Sequence, residues 1–360
     1  MTFCDQPVKG KKFPPLALAA SLSFLVALYA PLELYFTNRD DFWFDFTSLL
    51  PCCLAMFAGC WAAGAILLLF LRHWPRLYGI LLTLGLAVLL SLYIQGNFLV
   101  SGLPIMNGDA VEWSHFGGQR IASLIAWVLP AAALLLLGFK KGFALVETLT
   151  GWTSLVLIGV LLPTLITVAL QTGAYKPSQY FSSTYQGIED YSTQKNVVVL
   201  MLDSVDGNDF SRVLNEDPAH AEALRDFTYY DNATAAYSYT FYSAAFILGG
   251  EWYENAEPFA DYRSRMLQTS PLLNELKAEG YSMGYYSPDA TVDIAKNSGL
   301  FINMRDDNPE VGSKLGLAKT VLQMAGVQYA PFDLKRFCYT LPADLDWLKS
   351  GSGDSTSLYT

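Results

Sequence analysis

The stretch Ser238–Gly250, SYTFYSAAFILGG, runs a hydroxyl-rich cluster straight into an apolar segment that stops at a glycine pair. Thr240 heads that segment, with Ser243 three residues on and Gly250 ten on. Two readings stand side by side. In one, Thr240 is the N-cap of a short helix and a glycine is its C-cap. In the other, Thr240 is a nucleophile at a helix N-terminus, where the positive end of the backbone dipole favours an alkoxide. About forty residues earlier, Asp203 directly follows the run Asn196–Leu202, NVVVLML. A carboxylate leaving a buried strand is well placed to hold a cation, and an aspartate in that place also serves as a turn or N-cap residue.

The elements that would position these groups can be read from the surrounding pattern. NVVVLML is continuous, apolar and rich in β-branched residues, the signature of a central strand buried on both faces of a parallel sheet. Asp206 and Asp209 read as turn and N-cap residues, and Asp217-Pro218 opens a short helix. FTYYDNATA (227–235) reads as a strand entering a loop. A helix starts at Pro271, is capped by Gly280 and leads to a strand ending at Ser287. Strands alternating with helices predict an α/β domain with a mostly parallel sheet, whose ligands bind beyond the carboxyl ends of the strands. Asp203 and the Thr240 loop would both lie there. Asp289 and Asp293 follow a strand end, which makes Asp289 a candidate for binding a substrate headgroup. Tyr237, Tyr239 and Trp252 flank Thr240; packing accounts for them, and Tyr239 and Ser243 are also candidate substrate contacts.

Upstream, residues 13–172 hold nearly all the long apolar runs. Five of them, Pro15–Phe36, Leu50–Leu71, Leu77–Val100, Ile121–Phe139 and Gly151–Leu170, reach the roughly 20 residues that cross a bilayer. Lys9, Lys11 and Lys12, then Arg72 and Arg76, then Lys140 and Lys141 fall on one side of these spans. The alternate loops carry Asp40, Asp41 and Asp45, and Asp109 and Glu112. The bias predicts a cytoplasmic N-terminus and, after an odd number of spans, an extracytoplasmic C-terminal domain. Glu33 is the ionisable residue that stands out within the spans, which gives a transport role little support. The domain plan is thus a five-span anchor (1–172), a polar connector (173–195) and an outer domain (196–360).

Composition removes other classes. The formal charge is −10 and no basic stripe is present, which argues against a nucleic-acid partner. The bilayer is the partner the chain requires. The five cysteines form neither a disulfide framework nor a CxxC or Cys/His zinc pattern.

Taken together, NVVVLMLDS (196–204), FTYYDNATAAYSYTFYSAAFILGG (227–250) and LLNELKAEGYSMGYYS (272–287), behind a five-span anchor, resemble the alkaline phosphatase/sulfatase superfamily. The likeness is closest to its membrane-anchored branch of lipoteichoic acid synthases (phosphoglycerol transferases) and lipid A phosphoethanolamine transferases. The resemblance implies that Asp203 is a metal ligand and that Thr240 is both nucleophile and metal ligand. It further implies a covalent phospho-threonine formed from a phosphodiester headgroup of an envelope lipid or polymer. Threonine cannot give the formylglycine aldehyde that sulfatases use. Ser204 stands where they place a second aspartate, so a single carboxylate favours manganese or zinc over calcium or magnesium.

The chain also departs from that pattern. The family completes its metal site with a late Asp-His pair, and none of His73, His115 and His220 follows an aspartate at the end of a late strand. His220 reads as a surface helix residue. The outer part is short and closes in the polar tail LKSGSGDSTSLYT. The expectation is therefore an N-terminal portion of a longer enzyme, inactive by itself. A sulfatase-like ester hydrolase and a non-catalytic envelope pseudoenzyme or scaffold are the alternatives.

Overall fold

Apolar stretches of bilayer length satisfy their backbone within the segment by becoming helices. The computed structural model describes residues 12–103, 111–177, 181–202, 205–287, 295, 298–306 and 310–350. In it all five stretches are helical: α1 (Phe13–Thr37), α2 (Phe46–Leu71), α3 (Pro75–Phe98), α4 (Gly117–Lys141) and α5 (Phe143–Thr172). They fit a multi-pass membrane protein. In α1 the backbone widens to a π turn over Phe24–Tyr29. Pro31 follows at once; it has no N–H to give the preceding turn and its ring crowds that turn's carbonyl. α1 is the most buried helix of the five. Its Ser21 donates to Ser154 of α5 at 3.1 Å, while Ser91 of α3 reaches the Ala126 carbonyl of α4 at 2.9 Å. Such satisfied polar contacts between closely packed helices hold a bundle together where lipid offers no hydrophobic drive.

The fifth helix begins at Phe143, a full two turns before the Gly151 expected from hydropathy, and this brings Glu147 inside it. Its carboxylate accepts from Arg72 at 3.2 Å and from the Tyr78 hydroxyl at 2.8 Å. The spans therefore hold a buried carboxylate in addition to the half-buried Glu33.

The chain divides into two units, Met1–Ser178 with Pro309–Ser352, and Gln179–Asn308 with Gly353–Thr360. The second unit contains β1 (Phe181–Ser183), α6 (Gly207–Glu216), α7 (Pro218–Ala223), α8 (Thr240–Gly249), α9 (Phe259–Thr269), α10 (Pro271–Ala278) and β2 (Met304–Asp306). Three of the caps read from sequence are in place. Asp206 accepts from the Asn208 and Asp209 amides, Asp217 accepts from that of Ala219, and Gly280 adopts φ +82°.

The expected sheet differs. Among the described residues, β1 and β2 pair antiparallel, and parallel pairing is limited to a bridge between Met283 and Phe301. Val197–Leu202 lies outside regular structure with every side chain at least 43% exposed, and residues 227–235 are likewise irregular. A central strand owes its hydrogen bonds to neighbours remote in sequence, and composition cannot say whether they come. The mostly parallel sheet is therefore not what the described residues form. Asn303 organises this region. Its side chain donates to the carbonyls of Thr184 (3.0 Å) and Tyr285 (2.9 Å) and accepts from the Tyr285 amide (2.8 Å), tying three segments together.

After the second unit the chain returns to the first with β3 (Glu310–Val311), α11 (Lys314–Tyr329), α12 (Phe332–Cys338) and β4 (Lys349–Ser350), which pairs antiparallel with β3. The sequence reading assigned this stretch to the outer domain; in the structure it belongs with the spans. Its short helices lack the apolar length of a span, so hydropathy passes over them. The junction of α11 and α12 is closed by Lys335, fully buried, whose ammonium donates to the carbonyls of Val327 and Gln328 at the end of α11. Burial pushes this lysine down to about 8. Below pH 8 both folded and unfolded chains carry the charge and its burial cost is fully present. Between pH 8 and the ordinary lysine value near 10.5 the folded chain sheds the proton first, so stability rises with pH. The gain is at most about 3 kcal/mol. Lys335→Met should flatten this rise in unfolding midpoints measured from pH 7 to 10; a wild type already flat there would refute the assignment.

Candidate functional site

α8 is bounded at its far end by Gly250, whose φ of +81° and amide bond to the Phe246 carbonyl (2.7 Å) make a left-handed cap. At its near end Tyr239 is extended and accepts from the amides of Tyr242 and Ser243, both at 3.1 Å. Tyr239 is thus the N-cap, and it makes no side-chain cap bond. Thr240 is the first helical residue, exposed. The N-cap reading of Thr240 does not hold.

The underside of the helix is fixed by small residues and a clamp. Ala245 packs with Tyr262 and Met266, and a side chain on Gly249 would come within 2.6 Å of the Met266 sulfur, so only glycine allows this approach to α9. Ser270, the N-cap of α10, donates to the Leu248 carbonyl at 2.5 Å and accepts from Leu273 at 3.2 Å. One hydroxyl therefore joins α8 to α10. Neither Ser270 nor Asn303 stood out in the sequence, because a lone serine before a proline or a lone asparagine in a loop carries no periodic signal.

An aromatic shell carries the approach to α8. The ring of Tyr237 lies 5.8 Å from Tyr242, 6.0 Å from Phe246 and 5.3 Å from Trp252, and its hydroxyl accepts from the Tyr253 amide at 2.7 Å. Tyr262 donates to the Glu251 carbonyl and Tyr253 to that of Glu257. Arg265 bridges Glu251 (3.0 Å) and Glu257 (2.7 Å). These contacts give Tyr237 a structural role and hold the turn before Thr240 in one shape.

The predicted residues are distributed as follows. Thr240 and Tyr239 stand together at the head of α8, with Tyr239 69% exposed and open to a substrate. Ser243 lies one turn on, its hydroxyl donating to the Tyr237 carbonyl at 3.1 Å, which commits it to the fold of the loop. Asp203, Asp289 and Asp293 lie outside the described residues. His220 is on the surface of α7, 3.7 Å from Asp217, as read from the sequence. His115 pairs locally with Glu112 at 3.1 Å.

A divalent cation takes four to eight donors. Asp203 and Thr240 would give two, and among the described residues no group of three or more His, Cys, Asp or Glu side chains converges. The described donors alone do not form a metal cage. What the head of α8 offers is a hydroxyl at the positive end of a ten-residue helix, with the turn before it fixed by aromatic packing. Compared with family models, with curated proteins and with solved structures, the chain matches none.

Proposed function

We propose that this protein is a membrane-anchored transferase or hydrolase acting on the phosphodiester headgroup of an envelope lipid or polymer, with Thr240 as its nucleophile. The supporting observation is the placement of Thr240: an exposed hydroxyl-bearing residue at the first position of α8, with the N-cap position taken by Tyr239. The Thr240 oxygen attacks phosphorus, the bond to the leaving alkoxide breaks, and that alkoxide takes up the proton the threonine loses. An acceptor hydroxyl or water then displaces Thr240 and restores it. The helix N-terminus favours negative charge both on the attacking oxygen and on the phosphoryl group. In the same reading Asp203 joins Thr240 as ligand of a divalent cation, manganese or zinc before calcium or magnesium. The basic clusters on one side of the spans support a cytoplasmic N-terminus, and in this reading the chemistry lies outside.

The test is a trapped intermediate. The protein carrying every residue its gene encodes is reconstituted in vesicles of phosphatidylglycerol and phosphatidylethanolamine, quenched with acid and digested. A phosphoglycerol or phosphoethanolamine adduct on the peptide containing Thr240 is expected. No adduct, or one on another residue, sinks the reading.

A further inference from the structure

We propose that α12 is a second membrane attachment, lying in the bilayer interface with Leu334 and Phe337 inserted among the lipids. The inference concerns the first unit alone and does not depend on chemistry at Thr240. It begins with how the return segment is seated. α11 crosses the end of the bundle where α1 and α3 finish and α2 and α4 begin. The Tyr329 hydroxyl donates to the Glu33 carboxylate at 2.5 Å, and Gln328 donates to the same carboxylate at 3.2 Å and to the Gly96 carbonyl at 3.0 Å. The Tyr329 ring lies so close to Gly96 that a Cβ there would stand 2.1 Å from it.

α12 is then pinned to α4. The Phe332 amide donates to Ser123 at 3.0 Å, Ser123 donates to Gln95 of α3 at 2.6 Å, and Asp333 pairs with Arg120 at 2.8 Å. Ser123 is six residues beyond the first residue of α4, about 9 Å along the helix. On α4 the residues around that level, Ile121, Leu124 and Ile125, are 55–63% exposed, as befits a surface that faces lipid. The first turn of α12 is therefore held alongside a lipid-facing stretch of a membrane helix.

The faces of α12 are sorted accordingly. Phe332 and Lys335, three apart, are buried against the protein. Leu334 and Phe337, also three apart, point away from it, 51% and 63% exposed. Arg336 lies over the Phe337 ring at 4.7 Å, the arrangement of a cation whose stem covers apolar surface while its head reaches the headgroups. A leucine and a phenylalanine left open in water would cost hydration free energy; at this depth the continuous surroundings are acyl chains and headgroups, and the same exposure becomes favourable. Continuity with the lipid-facing surface of α4 selects the bilayer as occupant over a protein.

The native full chain is reconstituted in phosphatidylcholine–phosphatidylglycerol vesicles in which some phosphatidylcholine carries a diazirine on an acyl chain. After illumination, adducts on Leu334 and Phe337 are expected at yields of the same order as those on Ile121 and Leu124. In the Leu334→Glu/Phe337→Glu variant, adducts on 332–338 should fall about tenfold, equivalent to about 1.4 kcal/mol of lost insertion, while those on Ile121 and Leu124 persist. Labelled spans beside an unlabelled 332–338 segment would overturn the proposal. So would labelling of that segment by a water-soluble carbene reagent instead, or an adduct yield that the glutamates leave unchanged.

Discussion

Thr240→Ala is expected to lower turnover of a phosphodiester lipid by at least about a thousandfold and to abolish the covalent adduct, because the attacking oxygen is removed. Ser243 is the other aliphatic hydroxyl on the same helix, and its proton is already given to the Tyr237 carbonyl. Ser243→Ala should consequently reduce stability by about 1 kcal/mol, the usual worth of one such bond, while adduct formation survives. Thr240→Ser keeps the oxygen and should retain activity within about one order of magnitude, the loss reflecting the methyl group's hold on the rotamer. Thr240 is exposed and is not the N-cap, so the alanine variant should still fold, with its unfolding temperature lowered by no more than a few degrees. Measured together, these separate a chemical role from a structural one. Full turnover by Thr240→Ala would remove the nucleophile, and an adduct lost equally in Ser243→Ala would show that the shape of the loop had been mistaken for chemistry.

The parts of this molecule that were legible in the sequence are those decided locally. A bilayer-length apolar run needs no partner to declare itself, and the left-handed glycine after Gly249 or the aspartate before Pro218 acts within one turn of its own residue. The parts that were not legible depend on distant neighbours. Val197–Leu202 has the composition of a buried strand, and whether it is one depends on segments far along the chain. The membership of α11 and α12 in the membrane unit leaves scattered marks upstream, among them a glutamate in α1 that needs a donor, a glycine in α3 that leaves room for a ring and a serine in α4 that accepts from Phe332. Neither residue type nor spacing connects Glu33 with Tyr329, nearly three hundred residues on. At the head of α8 the N-cap falls one residue before the threonine whose type suggests it. Tyr239 caps with its backbone, which frees Thr240 from the role its residue type suggested.

The other large effect lies at the opposite end of the bundle from α11. Glu147 is 8% exposed at its side chain and Arg72 21%, with the Arg72 guanidinium also 5.5 Å from the Tyr78 ring. Arg72→Met removes the charge that balances a carboxylate held inside helical packing, and the expected cost is about 3–5 kcal/mol, most of it the penalty of an uncompensated anion. Glu147→Leu should cost less, about 1–2 kcal/mol, because Arg72 sits in the turn between α2 and α3 and can swing its head to water or to lipid phosphate. The double variant Arg72→Met/Glu147→Leu should then be more stable than Arg72→Met alone, since the buried charge has gone and the Tyr78 hydroxyl loses only one acceptor. Denaturant titrations of the four proteins in one bicelle preparation give the coupling directly. If the double variant loses the sum of the two single losses, the ion pair carries no energy and Glu147 is held by Tyr78 alone.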